Sequence, residues 1–207
     1  GFCAAKTTHS FPAGKTLYTQ GEANSGLYCL SSGTVALRHI NESGDSVLLS
    51  LAYPGDVLGY RSLISDGEHK VSAEALGPGE ACKISRSKAL ELVARRPQIG
   101  LAFLRRSSRE IEGMHERMLH TASLSNRGRL LLVLASMVER HGCEDEDGGH
   151  TLTLPVSRRD LASMIGTRHE TLSRVMGRLE DDQLARFSGR QVVIPNLDAI
   201  IEAAYDQ

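Results

Sequence analysis

Apolar positions along the 207-residue chain follow two rhythms. Between residues 11 and 86 they alternate with polar ones or gather in short runs: "KTLYTQG", "GLYCLSSGTVALRHI", "DSVLLSLAYPGD" and "EACKISR". Gly14, Gly21, Gly33, Gly44, Gly55 and Gly67 cut these runs apart. A period of two between glycine turns predicts short strands, and their close spacing predicts an antiparallel sandwich or barrel. Gly44, in "NESGDS", falls where a hairpin turn is needed.

From Pro97 the rhythm becomes helical. Leu104, Ile111 and Met118 recur every seven residues, with Ser107, Met114 and Thr121 at the intervening seam positions. Such a seam fits a helix packed on its own sandwich or on a second copy of the chain. The next helix, "RGRLLLVLASMVERHG", has Asn126 as its expected cap and Gly142 as its end. "CEDEDGGH" then reads as an acidic solvated loop, and the spacing of Cys143 and His150 matches no standard zinc pattern.

Two short helices follow. "VSRRDLASMIG" has Ser157 as a candidate N-cap and Asp160 in its first turn, while Thr167 and Glu170 are spaced as a capping box for "TRHETLSRVMGRLE". Helices joined by so tight a turn must cross steeply, which calls for small residues at the crossing. Ala162 is small, and Gly166 permits a left-handed backbone. Leu161, Ile165, Leu172 and Val175 complete a shared core, so Leu-Ala-x2-Ile-Gly-x5-Leu-x2-Val is a helix-turn-helix pattern. "LARFSGRQVVIP" then predicts two short strands around a Ser188-Gly189 turn, the wing of a winged helix-turn-helix.

Charge refines this picture. With 24 Lys and Arg against 25 Asp and Glu, bulk charge favours no class of partner, so nucleic-acid binding must rest on a local surface. Residues 151–194 hold seven arginines against five carboxylates, a net of two positive charges with no lysine. Arginine suits phosphate contacts and bidentate reading of guanine. At the start of the second helix, Glu170 is placed to accept from cytosine N4, Arg174 to donate to guanine, and Ser173 to bond a base edge or a phosphate. Two local alternatives stand for Glu170: closing the capping box with Thr167, or pairing with Arg174 one turn on. Arg158, Arg168 and Arg190 are phosphate candidates, and His169 is a base, phosphate or solvent contact.

Other classes of function lack support. No run approaches the roughly 20 apolar residues of a membrane span. There is no nucleophile elbow, metal triad or phosphate-cradling glycine loop, so the chain does not read as an enzyme. Cys3, Cys29, Cys82 and Cys143 lie far apart without a C-x-x-C pair, as in a reduced, cytoplasmic protein. The rival to a DNA-binding regulator is a ligand-binding β-roll acting through protein contacts with a degenerate DNA domain.

Nearly the whole chain resembles the CRP/FNR family of bacterial transcription regulators. The likeness rests on "LYCLSSGTVAL", "YPGDVLGYRSL", the long helix and the winged helix-turn-helix. The FNR branch carries Glu-x-x-Ser-Arg in its recognition helix, here Glu170, Ser173 and Arg174. The resemblance implies an α+β architecture: an antiparallel β-roll (a cyclic-nucleotide-binding-like jelly roll) over residues 1–96, a dimerisation helix over 97–122, and a winged helix-turn-helix over 123–207. It implies a homodimer joined along Leu104, Ile111, Met114 and Met118, which reads double-stranded DNA with TTGAT-like half-sites and works with RNA polymerase.

The resemblance also bears on the signal. Cyclic-nucleotide-binding members carry Gly-Glu for the ribose and Arg-Ser for the phosphate. Here these positions hold Gly59-Tyr60 and Lys70-Val71, with Ser72 one place late, which argues against cyclic AMP or cyclic GMP. Cys82 matches the β-roll cysteine that supplies one [4Fe–4S] ligand in oxygen-sensing members. The other three come from an N-terminal cluster, of which Cys3 would be the last if residues precede Gly1. Cys82 as a buried apolar residue, and thiol sensing through Cys3 and a partner, stand as alternatives.

Overall fold

The computed structural model describes residues 7–145 and 148–206. The first half runs β1 (Thr7–Phe11), β2 (Thr16–Tyr18), β3 (Gly26–Ser32), β4 (Val35–Ile40), β5 (Ser46–Ala52), β6 (Val57–Leu58), α1 (Tyr60–Ile64), β7 (Ser72–Ala75) and β8 (Gly79–Ser85). Two antiparallel sheets result, ordered β1-β8-β3-β6 and β2-β7-β4-β5. Phe11, Tyr18, Leu30, Val35, Ala52, Leu58, Ala73, Ala75 and Ala81 fill the roll as one buried cluster. The expected turn at Gly44 closes the β4–β5 hairpin, with a positive φ of 83° that a side chain would strain.

Period two places alternate residues of β3 on opposite faces. Leu30, with Tyr28 beside it, serves the roll interior. Leu27 and Cys29 instead meet a second cluster of Tyr60, Leu63, Ile84, Ala89 and Phe103. That outer cluster seats α2 (Arg86–Arg95) and the start of α3 (Pro97–Ser123). α2, unread in the sequence, is capped by Ser85, whose hydroxyl accepts from the Lys88 amide. Phe103 anchors α3, Arg106 bonds Asp56 at 2.9 Å, and Ser107 donates to the Tyr60 hydroxyl at 3.4 Å. Ser107 therefore serves the roll and not the exposed seam, because a straight helix rotates away from a strict seven-residue repeat. The chain divides within α3 into two compact units, Gly1–Glu112 and Gly113–Gln207.

The second unit adds α4 (Asn126–His141), β9 (Gly142–Glu144), β10 (His150–Thr153), α5 (Arg158–Met164), α6 (His169–Asp181), β11 (Arg186–Ser188), β12 (Gln191–Ile194) and α7 (Leu197–Ala203). Two expectations are corrected here, the helix cap and the acidic loop. Ser125, not Asn126, caps α4: its extended backbone lets its hydroxyl accept from the Gly128 amide at 3.2 Å. Gly142 ends α4 as expected, in an extended conformation at φ −72° and ψ 147° that leads straight into β9. The ends of the supposed loop are strands, since β9 pairs with β10, and β10 pairs with the wing strand β12, giving the sheet order β11-β12-β10-β9. The alternation was present in "HTLTLPV", where Leu152, Leu154 and Val156 are buried. Among the described residues no helix is long and apolar enough to cross a membrane.

Candidate nucleic-acid interface

The helix-turn-helix is built from local bonds. Ser157 and Asp160 form a reciprocal capping box at the start of α5: the Asp160 amide donates to the Ser157 hydroxyl at 3.1 Å, and the Ser157 amide to the Asp160 carboxylate at 3.2 Å. Ser157 is thus occupied as a cap. Gly166 turns the chain at φ 66°, and the Thr167 amide donates to the Ala162 carbonyl at 2.9 Å. No atom lies within 4 Å of a Cβ built on Gly166, so backbone conformation and not space selects glycine there. Leu161, Ala162, Ile165, Leu172 and Val175 are all buried, as the pattern required, while Gly166 itself is exposed in the turn.

Arg168 occupies the N-cap of α6 with no side-chain cap bond. The capping box expected of Thr167 and Glu170 does not form. The turn holds Thr167 outside the helix, so Glu170 takes the second helical position and not the third. Glu170 and Arg174 make no side-chain ion pair either; the Arg174 Nε donates weakly to the Glu170 carbonyl oxygen at 3.5 Å. Both local alternatives for the Glu170 carboxylate are therefore removed. His169, Glu170, Ser173 and Arg174 stand exposed along one end of α6, whose opposite face is buried. The helix's first N–H groups lack a side-chain acceptor there, as suits a phosphate or base-edge partner.

Arg174 and Arg178 line a concavity with Thr171 and with Ser125 and Asn126 at the start of α4. Sequence reading passed over Asn126 and Arg178 as surface candidates, because a concavity between elements leaves no local pattern. Arg127 holds this edge together, donating to the Ala203 carbonyl at 2.8 Å and the Asp182 carboxylate at 3.1 Å. Arg158 is exposed at the first position of α5. Arg190 sits in the wing turn beside Gly189, a Gly189-Arg190 turn one place later than expected, and its Nε donates to the Leu154 carbonyl at 3.0 Å.

The roll presents different chemistry. Tyr60 is buried against Phe103, ring centroids 5.4 Å apart, so the side chain after Gly59 is spent on packing α3. Val71 packs on the interior cluster. His69 stacks on Tyr18 at 3.9 Å and bonds the Ser62 hydroxyl through Nδ1 at 3.0 Å. Burial pushes the Tyr18 phenol up to about 12. These positions are filled by apolar groups or by side chains packed on and bonded to one another, and they offer no carboxylate for a ribose.

Comparison with known proteins matches both halves. A cyclic nucleotide-binding domain model matches residues 8–96. A Crp-like helix-turn-helix domain model matches residues 128–203. The chain belongs to the CRP/FNR family of transcription regulators. This CRP/FNR regulator is 27% identical over 191 residues to the Fumarate and nitrate reduction regulatory protein of Salmonella typhi, covering 92% of this chain and 76% of that one. It is 26% identical to the Anaerobic regulatory protein of Haemophilus influenzae, covering 91% and 72%. FixK2 from Bradyrhizobium japonicum shares the fold with a TM-score of 0.81 at 24% identity, covering 95% of this chain and 96% of that one. The relatives are transcription regulators, not enzymes.

The FNR likeness raises the question of an iron–sulfur cluster. Cys82 lies on β8 directly opposite Cys29 on β3, and among the described residues no group of three or more His, Cys, Asp or Glu converges to hold a metal. Two thiolates fall short of the four ligands a cubane needs. Cys3 lies outside the described residues. The described residues alone do not fit the cluster.

Proposed function

We propose that this CRP/FNR regulator binds an inverted-repeat, TTGAT-like operator in double-stranded DNA as a homodimer, and that a redox, oxygen or small-molecule signal other than cyclic AMP sets its affinity. The roll (1–96) receives the signal, the helix (97–122) pairs the two copies, and residues 123–207 read DNA. RNA polymerase is the further partner, and the cytoplasm is the compartment where both meet.

One observation carries the reading. Glu170, Ser173 and Arg174 stand exposed on a helix whose other face is locked into the helix-turn-helix core, and neither local alternative occupies the Glu170 carboxylate. A carboxylate facing phosphates is repelled unless a cytosine N4 donates to it, and Arg174 one turn on reaches the neighbouring guanine. Arg168 and Arg158 serve the backbone, with His169 beside them, and Arg190 contacts phosphate from the wing. The exposed Leu104, Ile111, Met114 and Met118 support pairing through α3. Tyr60 and Val71, both committed to packing, support a signal other than cyclic AMP.

Fluorescence anisotropy on the repeat and on a scrambled duplex, at one salt concentration, tests this. Arg174→Ala is expected to cost about 1–3 kcal/mol on the repeat and little on scrambled DNA, whereas Arg190→Ala weakens both alike. Equal losses on both duplexes for both variants would overturn the assignment.

A further inference from the structure

Cys29 and Cys82 are 53 positions apart in sequence, yet the β3–β8 register sets them face to face. The neighbouring pair Leu27–Ile84 shares their face of the sheet, and both of its members belong to the cluster that seats Phe103 of α3. Both cysteines are thiols. Cys29 is half-buried and Cys82 is buried. Two hydroxyls attend the Cys82 sulfur, Thr8 Oγ1 at 3.5 Å and Ser31 Oγ at 4.0 Å. Hydroxyls in that position are placed to stabilise a developing thiolate.

We propose that Cys29 and Cys82 form a reversible dithiol–disulfide switch, oxidised by hydrogen peroxide, whose closure alters the seat of α3. Side chains directly opposite on antiparallel strands hold their Cβ atoms about 4.5–5.5 Å apart, and a disulfide brings them to about 3.5–4.5 Å. The bond is thus within reach but draws the strands together, and a strained cross-strand disulfide is readily reduced again, as a switch requires. The more accessible Cys29 thiolate attacks one peroxide oxygen, breaks the O–O bond and becomes a sulfenic acid, releasing hydroxide. The Cys82 sulfur then attacks the Cys29 sulfur and expels the second hydroxide. The two thiol protons convert both hydroxides to water, so two thiols and one peroxide give one disulfide and two waters.

The packing supplies the consequence. Cys29 touches the cluster of Leu27, Tyr60, Leu63, Ile84 and Phe103, so moving it moves the platform on which α3 rests. This regulatory half rests on the operator binding proposed above; the chemical half does not.

The test uses the full chain with Cys3→Ser and Cys143→Ser, so that only this pair remains. Hydrogen peroxide is expected to lower the intact monomer mass by ~2 Da, for the two hydrogens lost, and to give a Cys29–Cys82 linked peptide that dithiothreitol releases. Cys29→Ser, the half-buried and better tolerated change, should abolish the linked peptide and leave a sulfenic or sulfinic adduct or no product. Oxidation that stops at sulfinic acid in the unsubstituted pair, or yields only linked dimers, overturns the proposal. Operator affinity is expected to change about tenfold between the reduced and disulfide forms, within the usual range of coupling. An unchanged affinity with a formed disulfide overturns the regulatory half. Failure of the reduced protein to prefer the operator counts against the DNA reading alone.

Discussion

His69 shows how much a single buried side chain carries. It is 3% exposed, stacked on Tyr18 and bonded to Ser62, and its Nε2 has no hydrogen-bond partner. Burial lowers its pKa below the ordinary 6.5, with Glu22 pulling weakly the other way. The unfolded chain therefore binds the proton first as pH falls. The stability contributed by neutral His69 is fully present above pH 6.5 and is lost as pH drops through that value toward the lower folded pKa. Thermal melts should show a declining Tm between about pH 7 and pH 5, shallower in His69→Gln. Some slope persists in that variant, because burial and Arg140 also lower the His141 pKa. Identical pH profiles for the two proteins would show that His69 is not the titrating group. The exposure of Glu170, Ser173 and Arg174 was legible at this same scale, because it follows from helix periodicity. The caps slipped: Ser125 replaces Asn126, and Arg168 replaces Thr167. Capping is decided by one residue's backbone angles, which composition does not fix.

Among elements, α4 is held by a close approach that no local pattern announces. A Cβ on Gly128 would lie 2.2 Å from the Ala204 carbonyl oxygen. Alanine normally gains about 1 kcal/mol over glycine inside a helix. Here backbone meets backbone, so overpacking of about 1–3 kcal/mol must outweigh that gain. Gly128→Ala should lower the urea midpoint of unfolding, where an exposed glycine-to-alanine change in a helix would raise it. A raised midpoint would mean that the chain end after α7 shifts freely and does not clamp α4. The strands of the wing were read correctly, but β9 and β10 were not, because their three- and four-residue lengths become strands only through pairing with β12 and each other.

For the whole molecule, the apolar stripe on α3 is the deciding surface. Ile111 is 47% and Met118 74% exposed, with Leu104 at 59%. So many exposed large apolar groups along one helix call for a covering partner. The homodimer proposed above would cover them symmetrically, since a two-fold interface buries the same patch twice. Ile111→Glu combined with Met118→Glu should convert a dimer to a monomer in light scattering and abolish operator binding, with the helical circular dichroism retained. A dimer that survives both changes would place the interface elsewhere.

Several features of this CRP/FNR regulator are written in short stretches. The period-two roll, the seven-residue seam, the positive-φ turns at Gly44 and Gly166, and the helix-turn-helix each depend on residues within about one supersecondary unit. Local bonds enforce them, so local pattern reveals them. Tyr60 turned onto Phe103, Gly128 pressed on Ala204, and Cys29 facing Cys82 join residues 43, 76 and 53 positions apart. Strand register and helix docking decide those contacts. A slip of one residue in a strand would send Cys29 to the opposite face without altering any hydrophobic alternation visible in β3 by itself. Long-range pairing is settled by the summed burial of both partners, and only the folded chain contains that sum.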